Sequence, residues 1–99
     1  MITGPQCRAA RALVEFSRDR LAQLSGIDTA TIEQFERKLG KPADEQIKAL
    51  ADALEKAGAL FIPENGGGAG VRLKFNRSET RRIANLENEG GPTAFDEVP

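Results

Sequence analysis

Apolar residues recur at spacings of three and four along the first 58 positions of the chain, the pattern of helices that bury one face. The first such stretch predicts a helix over residues 5–15. Pro5 suits its first turn, because proline at that position gives up no helical hydrogen bond. We expect the apolar stripe of this helix to consist of Ala9, Ala12, Leu13 and Phe16.

Polar caps and a glycine delimit two further short helices. Ser17 is a favourable N-cap for a helix over residues 18–25, and Gly26 ends that helix by accepting the left-handed conformation. Asp28 caps a third helix, which ends before Gly40 and Pro42. The residues expected to face inward are Leu21, Ala22 and Leu24 in the second helix, and Ala30, Ile32 and Phe35 in the third.

The period of the pattern changes after a fourth amphipathic helix. That helix is predicted over residues 43–57, and Gly58 is its C-terminal stop. Beyond it, the runs "ALFIPE" and "VRLKF" predict the two strands of a β-hairpin. The connecting "NGGGAG" is interpreted as a flexible turn, because a phosphate-binding loop would be followed by a Lys-Ser/Thr pair and a helix. The apolar stripe of the fourth helix is Ile47, Leu50, Ala51 and Leu54.

These elements divide the chain into three parts. Residues 1–58 form a helical domain, residues 59–75 form the hairpin, and residues 76–99 form a short helix and a loosely held tail. The short helix would be capped by Ser78, with Ile83 and Leu86 on one side. The predicted fold class is therefore mainly α: four or five helices followed by a C-terminal hairpin and a tail.

Composition narrows the classes of function. The chain has one cysteine and no histidine, so it lacks the residues of a zinc site and the commonest general base. We expect neither an enzyme nor a cofactor, metal or small-molecule ligand, and we interpret Cys7 as a small buried helix residue rather than a redox thiol. No apolar run is long enough for a signal peptide or a membrane span, so we expect a cytoplasmic protein.

The distribution of charge matters more than its sum. The formal net charge of −1 argues against a nucleic-acid partner at first. Residues 1–41, however, carry seven basic and five acidic side chains, so this part is about two charges positive. A binding face can therefore be basic on a nearly neutral protein.

The stretch "LAQLSGIDTATIEQFERK" joins the second and third predicted helices through a very short turn containing Gly26. This arrangement is a helix-turn-helix, and the stretch resembles the Cro and phage-repressor class called the XRE family. The matching features are Ala22 where the helices touch, Gly26 in the turn, Ile27 and Ile32 at the base of the third helix, and the Phe35-Glu36-Arg37 ending. The resemblance covers residues 4–58, and the whole layout with its hairpin is similar to short bacterial regulators of that family.

Two positions depart from the pattern of the XRE family. Arg20 stands where a glutamate often completes a capping box with Ser17, which weakens the cap. Lys38 and Leu39 replace the glycine common after the third helix, which leaves the geometry of the following loop open.

The resemblance implies a set of DNA-contacting residues. Those expected to contact base edges from the third helix are Thr29, Ala30, Thr31, Glu33 and Gln34. Those expected to contact phosphates are Ser17, Arg18, Arg37, Lys38 and Lys41. Asp19, on the outer face of the second helix, is a candidate contact for RNA polymerase.

The function implied is a sequence-specific transcriptional regulator that binds double-stranded DNA as a homodimer on a pseudo-palindromic operator. The four helices suffice for the DNA-binding body, so the hairpin and the segment with Ile83 and Leu86 are left as candidate dimer surfaces. Two alternatives stay open. The chain could be the antitoxin of a toxin-antitoxin pair, with the tail after Asn76 on the toxin. It could also be a protein-interaction module, because Asp28, Glu33 and Glu36 bring acid to the third helix.

Overall fold

The computed structural model describes residues 1–74 and has four helices followed by a two-stranded antiparallel hairpin. This architecture confirms the predicted fold class. Phe75, the short helix predicted from Ser78 with Ile83 and Leu86, and the tail lie outside the described residues. The elements are α1 (Gly4–Val14), α2 (Arg18–Ser25), α3 (Thr29–Glu36), α4 (Asp44–Lys56), β1 (Ala59–Ile62) and β2 (Gly70–Leu73).

The helix boundaries follow from local capping. Thr3 caps α1 with a reciprocal capping box, in which its hydroxyl accepts from the Gln6 backbone and the Gln6 side chain accepts from the Thr3 backbone. The Ser17 hydroxyl caps α2 by accepting from the backbone N–H of Arg20 at 3.0 Å. Both caps satisfy amide groups that have no partner inside the helix.

One apolar core joins the four helices and the start of β1. Its largest fully buried side chains are Leu21 of α2, Ile32 of α3, and Ile47, Leu50 and Leu54 of α4. Each contributes roughly 1.5–3 kcal/mol by removal of its apolar surface from water. The complete core is Cys7, Ala10, Leu21, Ile32, Phe35, Ile47, Leu50, Ala53, Leu54 and Ala59.

Three of the four residues in the predicted stripe of α1 are on the solvent side, and only Phe16, just beyond the helix, packs on the core. Ala9 and Ala12 are exposed and Leu13 is 40% exposed, whereas Cys7 and Ala10 are completely buried. The buried face also carries Arg11. Because a charged residue usually faces solvent, this face of α1 was expected to lie on the outside. The charge of Arg11 is tolerated because Glu36 of α3 faces it.

Close packing of α1 against α3 explains why this face consists of small residues. A Cβ placed on Gly4 would lie 1.9 Å from the carbonyl oxygen of Phe35, so only glycine fits there. The burial of Cys7 confirms its interpretation as a small buried residue.

In the other three helices, single residues that were predicted to face inward are exposed or only half-buried. Ala30 of α3 is exposed and Leu24 of α2 is 47% exposed. In α4 the core includes Ala53, which was not in the predicted stripe, whereas the predicted Ala51 is only half-buried. Each difference concerns an alanine or the edge of a stripe, where burial depends on the neighbouring element rather than on the helical period.

The hairpin is part of the helical domain rather than surplus to it. Its inner face, formed by Ala59, Phe61 and Val71, packs on the core. The Gln6 side chain donates to the carbonyl oxygens of Gly70 at 2.8 Å and Ile62 at 3.3 Å, which ties both strands to α1. The apolar residues of the hairpin are therefore not surplus to the four helices, contrary to the expectation from the sequence.

The register of the two strands sets which residues share the outer face of the hairpin. Ala59 is opposite Leu73 and Phe61 is opposite Val71, and both pairs lie on the inner face. Alternation then places Leu60 and Ile62 on the other face, where both are half-buried. Within residues 1–74, no helix has the length and apolar character needed to cross a membrane.

Candidate nucleic-acid interface

The turn between α2 and α3 holds the two helices in a fixed relation. Gly26 adopts a left-handed backbone with φ of 79° and donates its N–H to the Ala22 carbonyl at 2.9 Å. The Ser25 hydroxyl then accepts from the N–H of Ile27, which packs on the core. Because three residues alone separate the helices, the direction in which α3 leaves the turn is determined by these contacts.

The first turn of α3 is capped and turned toward solvent. The Asp28 carboxylate accepts from the backbone N–H of Thr31 at 3.1 Å and from its hydroxyl at 2.8 Å. The hydroxyl bond lowers the pKa of Asp28, and the backbone bond adds to the effect. Thr29 and Ala30 are exposed beside this cap. The hydroxyl of Thr31 is thus committed to Asp28, while its methyl group and the two neighbouring side chains are available.

The middle of α3 presents Gln34 and an exposed ion pair. Gln34 is exposed, one turn beyond Ala30. Glu33 and Arg37 form an ion pair four residues apart, with Oε2 and Nη1 separated by 3.0 Å and side chains 44% and 57% exposed. The structure therefore brings together a predicted base-contacting residue and a predicted phosphate-contacting residue, which neutralise each other at the surface.

Glu36, the last residue of α3, lies in a buried network that the sequence interpretation did not foresee. Its side chain has no exposed surface and accepts from Arg11 through Nε at 2.7 Å and Nη2 at 2.8 Å. Arg18 donates to it from Nε at 3.1 Å, and the Cys7 thiol at 3.3 Å. The network joins α1, α2 and α3 at one carboxylate.

The charges of this network are matched. Burial by itself would raise the pKa of Glu36, but the hydrogen bonds and charge of Arg11, with help from Cys7 and Arg18, bring that pKa below its ordinary range. The hydrogen bond to Glu36 likewise raises the pKa of Arg11. Burial, with the neighbouring carboxylate, raises the pKa of the Cys7 thiol, so Cys7 stays protonated and donates.

The N-terminus of α2 carries Ser17, Arg18 and Asp19. The guanidinium of Arg18 is held by Glu36 through its Nε, and its side chain remains 33% exposed. The Ser17 hydroxyl accepts from Arg20, and Asp19 is exposed in the first turn, where a negative charge favours the helix dipole. Backbone N–H groups at this helix start have no helical partner and are suited to an anion.

The loop after α3 has lysine at a left-handed position that glycine usually fills. Lys38 adopts the left-handed conformation with φ of 62°, its N–H donates to Phe35, and the N–H of Leu39 donates to the Gln34 carbonyl at 2.8 Å. These are the two bonds of a Schellman motif, so the departure from the family pattern leaves the turn intact. Lys38 and Lys41 are both exposed, and within residues 1–74 neither forms an ion pair.

Comparison with known protein families decides the class of this domain. A family model described as helix-turn-helix matches residues 8–61, just over half of the chain, from α1 to β1. The chain belongs to the XRE-type helix-turn-helix family. Its function is therefore of the DNA-binding transcriptional-regulator type, and the family is not one of enzymes. A search of curated proteins found no match to the chain.

In this XRE-type domain the predicted site residues fall into three groups. The start of α3 carries Thr29, Ala30 and Thr31, with Glu33 and Gln34 one turn on. The loop after α3 carries Lys38 and Lys41, and the start of α2 carries Ser17 and Arg18. Arg11 and Glu36 were missed as a structural pair. A signal for it was present, because Glu36 shares a face with Ile32 and Phe35, and Arg11 shares one with Cys7 and Val14.

Proposed function

We propose that this XRE-type protein is a sequence-specific, cytoplasmic transcriptional regulator that inserts the first turns of α3 into the DNA major groove. The observation that carries the proposal is the exposed face of α3, whose cap at Asp28 and ion-paired C-terminal residue Glu36 fix it against the rest of the domain. A rigid helix can hold side chains against base edges with little loss of conformational freedom on binding.

Chemistry on that face supports a division of roles. The amide of Gln34 can donate to and accept from adenine, and the methyl groups of Thr29 and Ala30 can contact thymine methyls. Glu33 can accept from cytosine through Oε1, but the bond from Arg37 to Oε2 offsets its charge and restricts its orientation. We therefore infer that Gln34 contributes the largest single part of sequence discrimination.

Phosphate contacts would lie on both sides of α3. The backbone N–H groups after Ser17 and the exposed part of Arg18 form one side, and Lys38 with Lys41 forms the other. Arg18 is partly neutralised by Glu36, so we expect it to contribute less to the salt dependence than either lysine.

The acidic residues of α3 do not favour the alternative of an interaction module that has lost DNA binding. Asp28 is engaged in the helix cap, Glu33 is paired with Arg37, and Glu36 is buried between two arginines. Glu33 and Glu36 thus present no unpaired charge to an approaching phosphate, whereas the exposed carboxylate of Asp28 keeps its charge at the N-terminus of α3.

A homodimer on a pseudo-palindromic site is part of the proposal, because one such domain covers few base pairs. Within residues 1–74 we place the second subunit on the outer face of the hairpin, with Leu60 and Ile62, because the inner face packs on the core. The other candidate surface, the segment with Ile83 and Leu86, lies outside the described residues. Sedimentation should show a dimer for the full chain at micromolar concentration and a folded monomer for Leu60→Lys. A monomer for the unaltered chain would exclude the dimer.

The experiment that tests DNA contact compares two substitutions on two duplexes. A preferred site is first selected from random sequences, and affinities for this duplex and for a scrambled one are measured at several salt concentrations. Gln34→Ala should cost about 1–3 kcal/mol on the selected site and much less on the scrambled one. Lys41→Ala should weaken both equally and reduce the slope of log affinity against log salt by about one.

Matched controls are available on the same domain. Gln23 is exposed on α2 and Lys48 is exposed on α4, so Gln23→Ala and Lys48→Ala repeat both changes away from the proposed groove contact. Equal loss on both duplexes for Gln34→Ala, or a Lys48→Ala effect as large as that of Lys41→Ala, would refute this placement of α3.

Two further hypotheses concern protein partners. An antitoxin role would place the toxin on the tail after Asn76, which lies outside the described residues, and a stable co-purifying partner would favour it. Contact of Asp19 with RNA polymerase predicts that Asp19→Ala reduces activation of a target promoter without loss of DNA affinity. Equal loss of both, or of neither, would exclude that contact.

A further inference from the structure

An apolar groove lies beside the proposed DNA-binding surface, between the N-terminal end of α1 and the loop after α3. It is an open groove with a volume of about 530 Å³, and its lining includes Phe35 and Ile47 of the core. Leu39, which is 67% exposed, and Met1, which is 77% exposed, line the same groove and extend its apolar surface into solvent. Such a surface favours an apolar side chain from an occupant.

The rim of this groove is positively charged. Lys38 and Lys41 line it together with the apolar residues, and both are exposed. In the described part of the chain no carboxylate lies within ion-pair distance of either lysine, whereas the nearby acids Glu33 and Glu36 have arginine partners. The groove therefore suits an occupant that combines apolar side chains with adjacent negative charges.

The chain itself contains a segment of this character beyond the described residues. Residues 94–98 have the sequence "AFDEV", in which Phe95 and Val98 flank the carboxylates of Asp96 and Glu97. The twenty residues between Lys74 and Phe95 can span up to about 65 Å, more than the roughly 30 Å diameter of a domain of this size. The chain after Lys74 is therefore long enough for residues 94–98 to reach the groove.

We propose that residues 94–98 bind in this groove of the same chain, with Phe95 against Leu39 and the two carboxylates beside Lys38 and Lys41. The segment would then occupy the lysines that the proposed function assigns to DNA phosphates. Residues 94–98 and DNA cannot bind to these lysines at the same time. The bound segment therefore lowers the affinity for DNA, and DNA binding displaces the segment.

Docking itself can be tested without DNA. In nuclear magnetic resonance spectra of the isotope-labelled full chain, Phe95→Ala and the double change Asp96→Asn/Glu97→Gln should both shift the backbone amides of Ile2, Leu39 and Lys41. The matched control Glu87→Gln/Glu89→Gln removes the same charge from a segment without the flanking apolar pair, and it should leave those amides in place. Unchanged groove amides in the first two variants would overturn the proposal.

Dilution separates the tail of the same chain from that of a second copy. The spectra are recorded in the Leu60→Lys background, which we expect to be monomeric, and there shifts that do not depend on protein concentration support binding within one chain. Shifts that disappear on dilution show occupation by a neighbouring molecule and overturn the intrachain form.

The consequence for DNA rests on the proposed function and has its own measurement. A tethered segment acts at an effective concentration on the order of a millimolar, against a dissociation constant on the order of 0.1–1 mM for so short a peptide. Phe95→Ala and Asp96→Asn/Glu97→Gln should therefore raise affinity for selected and scrambled duplexes alike by about twofold to tenfold at low salt.

The outcomes of that titration are distinguishable. No change with Phe95→Ala, or an equal gain with Glu87→Gln/Glu89→Gln, would mean that only the overall charge of the tail matters and would overturn competition in the groove. If no variant binds DNA at all, the proposed function fails while the amide shifts still decide whether the segment docks.

Discussion

Replacement of Glu36 by glutamine tests the buried network that joins α1, α2 and α3. Glu36→Gln preserves the volume of the side chain but removes the one carboxylate that faces Arg11 and Arg18. The amide keeps one acceptor oxygen, and its NH₂ group meets a guanidinium that also only donates. Two of the hydrogen bonds to Glu36 therefore become donor-donor contacts in the variant.

The expected cost follows from the burial of the partners. Removing one member of a buried ion pair costs about 3–5 kcal/mol, because the other charge is left without compensation. Arg11 has a side chain only 15% exposed and cannot easily turn outward, whereas Arg18 is 33% exposed and can reach water. We therefore expect a loss near the lower end, about 3 kcal/mol in the free energy of unfolding.

The same variant should change the dependence of stability on pH. The folded-state pKa of Glu36 lies below its ordinary value, so its contribution is fully present above the unfolded pKa of about 4.3 and is lost as the pH falls through the folded pKa. The unaltered protein should thus lose stability on acidification below about pH 5. Glu36→Gln should show a shallower acid dependence.

The assay is urea unfolding followed by far-ultraviolet circular dichroism, because the chain has no tryptophan or tyrosine for fluorescence. Glu33→Gln is the matched control: it makes the same change on the same helix opposite an arginine, but in an exposed pair worth about 0.2–1 kcal/mol. Replacing Arg11 by methionine in the Glu36→Gln background should recover part of the loss, since no unpaired charge would remain at that position.

A loss below about 1 kcal/mol for Glu36→Gln would place the network in the class of exposed pairs and refute the reasoning from burial. Equal losses for Glu36→Gln and Glu33→Gln would refute it as well. An unchanged acid dependence would show that groups other than Glu36 dominate the titration.

Three further predictions concern backbone positions and use the same unfolding assay. Gly4→Ala should lower the free energy of unfolding by more than about 2 kcal/mol, because the added Cβ would lie 1.9 Å from the Phe35 carbonyl oxygen. An unchanged free energy would show that α1 can move away from α3. Glu15→Gly should raise the free energy of unfolding by about 0.5–1 kcal/mol, because Glu15 has a left-handed φ of 61° at the end of α1. A lower free energy of unfolding would mean that the Glu15 side chain makes a contact that stabilises the fold by more than this strain costs. Lys38→Gly should raise stability for the same reason while lowering affinity for every duplex, and a rise in affinity would exclude Lys38 as a phosphate contact.

Local signals in the sequence were sufficient for the elements of this domain. Ser17, Asp28 and Gly26 act on amide groups within three or four residues of themselves, so both ends of α2 and the start of α3 could be predicted without knowledge of the fold. The end of α3 was predicted just before Gly40 and lies at Glu36, because Lys38 takes the left-handed position that a glycine usually fills. The change of period after Gly58 likewise predicted the hairpin, because alternation is a property of the strand itself. The helix-turn-helix is built from such short-range features.

Tertiary structure alone decided which face of α1 is buried and what its charges do. Both faces of that helix carry small residues, and the face with Arg11 became the inner one because Glu36, twenty-five positions away in the chain, supplies the opposite charge. Similarly, Gln6 joins α1 to the hairpin across fifty-six and sixty-four positions. The energy of a buried charge or amide depends on its partner, and no local period or propensity contains the identity of a partner so distant in sequence.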